Sequence, residues 1–458
     1  MVCREAGLYV FGINDFESRI RGGHSFFQLR ISDRQIRAPH HVVNLLLAMD
    51  DNTVTLHQHQ LAPTGIILCN KKQPVDIPRA LTISFDELAA QAGNPITANT
   101  VAAGAALALL GSPFELLEKV LLRQFADKKQ TVRDENIRAA HLGYAAVGSQ
   151  RCASDIPWSS ASSPKPLIEG SQSIAYGALA GDCRFAAFYP MSPSTGIMMH
   201  LAALQKDFPL VVEQAEDEIA AANMIIGAAF AGVRSLTATS GGGFCLMTEA
   251  VGLAGITETP AVFINAQRPG PATGLATRTA QADLHMVIRA GQDDAPRFVF
   301  APGSPEEAYE ITARALMLAE KYQVPVIVLV DQFFNDSLYS LDKPFIVPQK
   351  VERFILDHTA ITNPSGYQRY QITESGISPR ALPCKGKALV KCSGNEHREN
   401  GHTSEASQDR IAMVDKRARK MIGMLSEISP PEQYHCLLYT SDAADDLLCV
   451  DLGGRRII

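Results

Sequence analysis

The alternation of apolar and polar positions predicts a chain of several α/β pieces. In residues 1–150, the apolar runs Val42–Met49 and Gly65–Asn70 predict buried strands, and the Ala/Leu-rich stretch Thr100–Phe125 has helical spacing. A Ser- and Pro-rich linker follows within 151–166 (Cys152 to Pro166). Across 167–337, helical and strand-like segments take turns. Ser171–Ala180 precedes Phe185–Tyr189, Glu218–Val233 precedes Ser235–Thr239, Cys245–Gly255 precedes Ala261–Asn265, and Pro305–Lys321 precedes Pro325–Leu329. Such alternation implies parallel sheets flanked by helices on both faces, a multi-domain α/β architecture. Residues 338–433 carry more turn and charge signals, and 434–458 fit no element.

Composition narrows the function. At roughly 100–200 residues per domain, 458 residues suggest about three domains. Lys and Arg number 42 and Asp and Glu 48, a net charge of −6, which argues against nucleic acid or an anionic membrane as the main partner. The run closest to a spanning helix, Ile219–Val233, is rich in small residues and short of the ~18 uncharged apolar residues such a helix needs. The nine cysteines include no CxxC pair, so the chain shows no zinc ribbon and no iron–sulfur ligand set; metal ligands are not expected in it. The chain does not open on a basic-then-apolar export pattern, so a cytoplasmic location with reduced thiols is the expectation.

Four segments follow strands of the central zone, where ligands bind in open parallel sheets. Tyr189-Pro190-Met191-Ser192-Pro193-Ser194-Thr195 combines a stiffened turn with hydroxyls. Glu216-Asp217-Glu218 opens a helix of small residues. Ser240-Gly241-Gly242-Gly243-Phe244 places free N–H groups at a helix N-terminus, which suits an anion or an aromatic edge. Gln267-Arg268 through Arg278-Thr279 sets two arginines with threonines in a Gly/Pro loop, and a guanidinium binds a carboxylate with two hydrogen bonds. Each has a plainer reading: a rigid turn, a helix-start acid favoured by the dipole, a tight glycine turn, an exposed loop. Ser194 and Thr195 are as well explained by helix capping. The glycines form neither a P-loop nor a GxGxxG fingerprint.

The segments 189–195, 214–221, 237–244 and 267–271, extended by Thr277-Arg278-Thr279-Ala280-Gln281-Ala282-Asp283, resemble the 2-oxoacid:ferredoxin oxidoreductases. More narrowly, the chain is similar to alpha subunits with a fused gamma domain, of the 2-oxoglutarate synthase type. Ser18 to His24 resembles the gamma domain. Tyr370–Arg380, Asn395-Glu396-His397 and Asp415-Lys416-Arg417 resemble the start of the next alpha domain. The resemblance implies an incomplete gamma-like domain (1–150), a linker (151–166), a pyrimidine-type thiamine diphosphate-binding domain (167–337) and an incomplete further alpha domain (338–433). It also implies oxidative decarboxylation of a 2-oxoacid with coenzyme A, giving acyl-CoA, CO2 and reduced ferredoxin; pyruvate or a branched-chain acid stands as the alternative to 2-oxoglutarate. Glu218, nine residues ahead of Gly227, takes the place of the carboxyl that drives the coenzyme's aminopyrimidine to its imino form, with Glu216 as the alternative. Tyr189, Pro190, Glu216 and Gly241, Gly242 and Gly243 fall at coenzyme contacts, and Ser192, Arg268 and Thr277 at contacts to the 2-oxoacid. Ser192 stands where the family usually has Thr and keeps the hydroxyl. A separate beta subunit is implied as partner, carrying the diphosphate-binding motif with Mg2+ and the [4Fe–4S] cluster.

The pattern is incomplete at both ends. The chain enters the gamma-like part after the family's glycine-rich turn, which predicts exposed apolar sheet edges. The stretch 434–458 reads as a non-native tail, and the whole as a fragment. A non-catalytic scaffold subunit is the competing class, disfavoured because the acid, hydroxyl and arginine positions are all filled with suitable chemistry. An NAD-linked dehydrogenase component lacks its dinucleotide fingerprint.

Overall fold

The computed structural model describes the chain except for residues 19–21, 71–78, 153–154, 160–163, 362–365, 429–455 and 458. Two compact units divide it. One is Met1–Ile168 with Leu338–Pro344; the other is Glu169–Ser337 with Phe345–Ile458.

The first unit holds two sheets. Strands β1 (Tyr9–Phe16) and β2 (Ser25–Ser32) form an antiparallel pair, extended by β13 (Leu338–Ser340) and β6 (Leu167–Glu169) in the order β2-β1-β13-β6. β2 leaves Phe27 and Leu29 exposed. Strands β3 (Val43–Ala48), β4 (Leu61–Asn70) and β5 (Ala80–Ile83) form a parallel sheet. The helices are α1 (Val2–Glu5), α2 (Asp51–His57), α3 (Phe85–Ala92), α4 (Ala98–Leu109), α5 (Phe114–Gln124) and α6 (Gln130–Ala146). The helical stretch expected across Thr100–Phe125 is two helices, because Gly111 adopts φ +76° and Pro113 follows. α4 and α6 pack backbone to backbone: a Cβ on Gly104 would meet the Ala140 carbonyl at 2.1 Å, and one on Gly143 the Val101 carbonyl at 2.0 Å.

The second unit is built on one sheet. Parallel strands β7 (Phe185–Phe188), β8 (Val211–Gln214), β9 (Ser235–Thr239), β10 (Ala261–Gln267), β11 (Phe298–Phe300) and β12 (Pro325–Asp331) run in the order β11-β12-β10-β9-β7-β8. The two-residue β14 (Arg456–Ile457) adds antiparallel beside β11. Helices α7 (Gly170–Ala180), α8 (Thr195–Leu204), α9 (Glu218–Phe230), α10 (Gly241–Ile256), α11 (Leu284–Ile288), α12 (Pro305–Tyr322) and α13 (Gln332–Asp336) fall between the strands or after them. All residues of β9, β10 and β12 are buried, which is why they read as near-continuous apolar runs. Ala221, Ile225, Phe244, Met247 and Phe263 close the core on the α9–α10 side.

Division by contact is not linear. The segment expected to open a further domain packs, from Phe345 onward, within the second unit. Arg353 and Arg234 clasp the two oxygens of buried Glu320 at 2.7 and 2.8 Å. The long helix α14 (Ser407–Ser426) sends Lys416 and Lys420 to the two oxygens of Glu258, at 2.5 and 2.6 Å, all three side chains being buried. Arg369 donates to the carbonyls of Thr257 and Glu258, at the C-terminal end of α10, where cations oppose the helix dipole. The stretch 434–458, expected to be a tail, lies outside the described residues except for Arg456 and Ile457.

Candidate functional site

From β7 the chain moves outward to β8, then returns to β9 on the other side of β7. The crevice beyond the carboxyl ends of β7 and β9 is therefore the switch point of the sheet. Every candidate segment emerges at this edge: the Tyr189 turn from β7, Glu216–Glu218 from β8, the glycine turn from β9 and the Arg268 loop from β10.

The three acids before α9 divide their work. Glu216 is exposed. Asp217 caps the helix, its carboxylate accepting the Ala220 N–H at 2.7 Å. Glu218 turns inward and is buried, and its Oε1 has no hydrogen-bond partner in the protein. A Cβ on Gly243 would lie 2.8 Å from that oxygen and 2.0 Å from Thr239 Oγ1. Only glycine lets α10 start this close to the acid. Gly241 and Gly243 are buried and Gly242 is exposed, with the Ala272 carbonyl 3.5 Å from where its Cβ would stand.

Around Glu218 collect other buried atoms without protein partners: Thr239 Oγ1, Ser240 Oγ and Asn265 Oδ1. Thr239 and Asn265 are register neighbours at the ends of β9 and β10. Unpaired buried polar groups cost about 1–3 kcal/mol each, so a cluster of them at a switch point marks a place where a polar ligand supplies the missing bonds. The set, one carboxyl with hydroxyl and amide oxygens around a glycine turn, suits a flat nitrogen heterocycle that offers N–H groups.

The substrate candidates sit beside it. Arg268 is buried; its Nη1 donates to the Ser192 carbonyl at 2.7 Å, its Nε is unpartnered, and burial pulls its guanidinium below the usual value. Asn335 Nδ2 donates to the Pro193 carbonyl at 3.1 Å, so the Ser192–Pro193 turn is held from two sides. Ser192 is exposed, as is Tyr189, and Pro190 is half-buried. Thr277 is half-buried in a turn of the loop. Ser194 occupies the N-cap position of α8, yet its hydroxyl donates to the Met191 carbonyl at 2.7 Å instead of capping the helix.

Asn265, Gln281, Asp331 and Asn335 have no role expected from the sequence, Gln281 appearing there only within the family-like segment. Asn265 and Asp331 are polar residues near the end of an apolar strand, the only signal they give, whereas Gln281 lies in the loop before α11 and Asn335 within α13. Among the described residues no group of three or more His, Cys, Asp or Glu side chains could hold a metal ion.

Residues 176–416 match the family model described as pyruvate flavodoxin/ferredoxin oxidoreductase, thiamine diphosphate-binding, and residues 1–146 match pyruvate ferredoxin/flavodoxin oxidoreductase. The chain is 32% identical to a 2-oxoacid:ferredoxin oxidoreductase subunit alpha of Sulfolobus sp, over 99% of this chain and 78% of the relative. It is 44% identical to the 2-oxoglutarate synthase subunit KorA of Methanothermobacter thermautotrophicus, over 55% of this chain and 65% of the relative. Among solved structures it is similar to the 2-oxoglutarate:ferredoxin oxidoreductase from Magnetococcus marinus with 2-oxoglutarate, coenzyme A and succinyl-CoA bound, with a TM-score of 0.84 and 30% identity, over 94% of this chain and 76% of that one.

The second unit is thus a thiamine diphosphate-binding α/β domain. The chain belongs to the alpha subunits of the 2-oxoacid:ferredoxin oxidoreductases, thiamine-dependent enzymes with iron–sulfur acceptors. No described helix is long and apolar enough to cross a membrane.

Proposed function

We propose that the chain is the gamma–alpha fused subunit of a 2-oxoglutarate:ferredoxin oxidoreductase, which with coenzyme A gives succinyl-CoA, CO2 and reduced ferredoxin in the cytoplasm. Support for the substrate comes from the 2-oxoglutarate synthase relatives and from the 2-oxoglutarate and succinyl-CoA named in the similar solved structure. In this reading a beta subunit carries Mg2+ and the [4Fe–4S] cluster, and neither subunit alone completes a turnover.

The observation that carries the site is the buried Glu218 carboxyl, with Oε1 unpartnered beneath the glycine turn. Thiamine diphosphate, when bound, supplies the electron sink for decarboxylation. Glu218 holds a proton at the ring nitrogen of the aminopyrimidine, as a positioned acid–base group. Gly241–Gly243 permit close approach, and Tyr189, Pro190 and Glu216 edge the same crevice. Arg268 binds the substrate carboxylate through its unspent N–H groups. The hydroxyls of Ser192 and Thr277 donate to substrate oxygens.

The test is turnover of the assembled enzyme with 2-oxoglutarate and with pyruvate, for the parent and Glu218→Gln. The expected result is a preference for 2-oxoglutarate and a loss of about 10²–10⁴-fold in the variant. Preference for pyruvate would overturn the substrate. Near-normal turnover of Glu218→Gln would overturn the acid. Failure with every 2-oxoacid, with coenzyme and partner present, would favour a scaffold.

A further inference from the structure

The segment Thr279-Ala280-Gln281-Ala282-Asp283 ties down the far end of the Arg268 loop at every second residue. Thr279 Oγ1 accepts the Phe333 N–H at 3.4 Å. Gln281 Nε2 donates to Asp331 Oδ2 at 2.6 Å, and Asp331 itself caps α13. The Asp283 N–H donates to Gln267 Oε1 at 3.0 Å, and Asp283 Oδ2 accepts from Asn265 Nδ2 at 3.1 Å. The loop that leaves the sheet at Arg268 thus returns to the end of the same strand, β10.

Asp283 does more than close the loop. It occupies the position before α11, but its carboxyl does not cap that helix. It lies instead against the start of α10: a Cβ on Gly241 would come 2.3 Å from Asp283 Oδ2. The same carboxyl takes the amide N–H side of Asn265 and leaves Asn265 Oδ1 unpartnered among the orphaned atoms of the site. Burial raises the Asp283 carboxyl above its ordinary value, with the Asn265 bond opposing.

We infer that Asp283 is a positioning residue that couples the substrate loop Arg268–Asp283 to the glycine turn at the coenzyme site, with Gln281 fastening the loop alone. The inference rests on the function proposed above for the neighbouring segments. It gives this stretch a separate role: one carboxyl sets the register between the coenzyme-binding turn and the 2-oxoacid-binding loop.

The experiment uses the assembled enzyme with Asp283→Ala, Asp283→Asn and Gln281→Ala. Thiamine diphosphate affinity is titrated calorimetrically on coenzyme-free protein, and KM for the 2-oxoacid is measured at saturating coenzyme. Asp283→Ala is expected to weaken coenzyme binding and raise KM, each by about tenfold, the scale of one lost buried hydrogen bond. Asp283→Asn, which keeps an acceptor for Asn265, is expected to recover most of both. Gln281→Ala is expected to raise KM and leave coenzyme affinity unchanged.

Thermal unfolding of the coenzyme-free protein supplies a readout independent of turnover. Gly241→Ala is expected to lower Tm, and the Gly241→Ala/Asp283→Ala double variant to lose less than the two single losses combined, because the second change removes the clash. Additive losses, or a folded Asp283→Ala with parental coenzyme affinity and KM, overturn the inference. Should Asp283→Ala fail to fold, Asp283→Ser, whose shorter side chain cannot reach Asn265 in the same way, takes its place: parental coenzyme affinity and KM there overturn the inference. Glu218→Gln in the same preparation separates the two readings. Loss there with unaltered Asp283 variants sinks this inference alone, and the reverse sinks the acid assignment alone.

Discussion

The Arg268 guanidinium donates through Nη1 to the carbonyl oxygen of Ser192 at 2.7 Å, across 76 positions of sequence. That bond joins the turn after β7 to the loop after β10. It fixes the arginine by one nitrogen, while Nε has no partner in the protein.

Arg268→Lys tests the value of the fork. A lysine keeps the charge but cannot hold the Ser192 carbonyl and a carboxylate with the same planar geometry. The expected outcome is a rise of about tenfold or more in KM for the 2-oxoacid, the scale of one charge-assisted hydrogen bond of roughly 1.5–3 kcal/mol. Steady-state kinetics of the assembled enzyme checks it; a KM within about twofold of the parent would show that the fork is not used.

Gly243 and Gly227 make a matched pair. Alanine at 243 puts its Cβ against Thr239 Oγ1 and Glu218 Oε1, whereas at 227, inside α9, it meets nothing within 4 Å. Gly243→Ala is expected to destabilise by about 1–3 kcal/mol through overpacking and to weaken thiamine diphosphate binding by displacing Glu218. Gly227→Ala is expected to stabilise by roughly 0.5–1 kcal/mol, as helix propensity dictates. Denaturant titration of both variants gives the comparison, and equal effects would contradict the packing described.

Among the described residues, Glu258 is the carboxylate that pairs with both buried Lys416 and Lys420, and the Arg369 guanidinium lies close by. Its pKa is driven far below the usual carboxylate range by the Lys420, Lys416 and Arg369 charges, which overcome desolvation. Glu258→Gln leaves those cations unpaired and is expected to cost about 3–5 kcal/mol. Chemical denaturation measures it. A loss below about 1 kcal/mol, the range of a surface pair, would mean that the cluster is solvated.

The same cluster sets a pH dependence. Burial lowers Lys416 from 10.5 to about 8, despite the raising effect of Glu258, with Lys420 and Arg369 adding to the fall. Tyr370 and His397 also pack against it. Between about 8 and 10.5 the unfolded chain holds a proton on this lysine that the folded chain has released. Stability from this group is therefore fully present above 10.5 and is lost as pH falls through about 8. Lys416→Met should flatten that slope, the remainder belonging to Lys420, which burial also lowers, and denaturation midpoints of parent and variant from pH 7 to 10 would reveal it. Parallel curves would exclude Lys416 as its source.

The sequence by itself determined the alternation of helix and strand across the central zone, because buried parallel strands need continuous apolar runs and their helices need small or apolar faces. It also marked the strand-end segments, since turns that serve ligands use Gly, Pro and hydroxyl residues whose conformational reasons are local. It showed Glu218 only as an acid at the start of a small-residue helix; the expectation of a coenzyme role came from the family resemblance. The break at Gly111–Pro113 was equally local, but the apolar spacing on either side masked it.

Only the tertiary structure sorted the acids, burying Glu218, setting Asp217 as a cap and leaving Glu216 exposed. That outcome depends on the glycine turn of a different helix lying close enough to cover one carboxyl. Tertiary structure alone also brought Asp283 to Gly241, Arg268 to Ser192 and α14 to Glu258. The first two join residues far apart in sequence across strand ends, and no periodicity along the chain encodes which ends become neighbours. The order of strands in the sheet decides it.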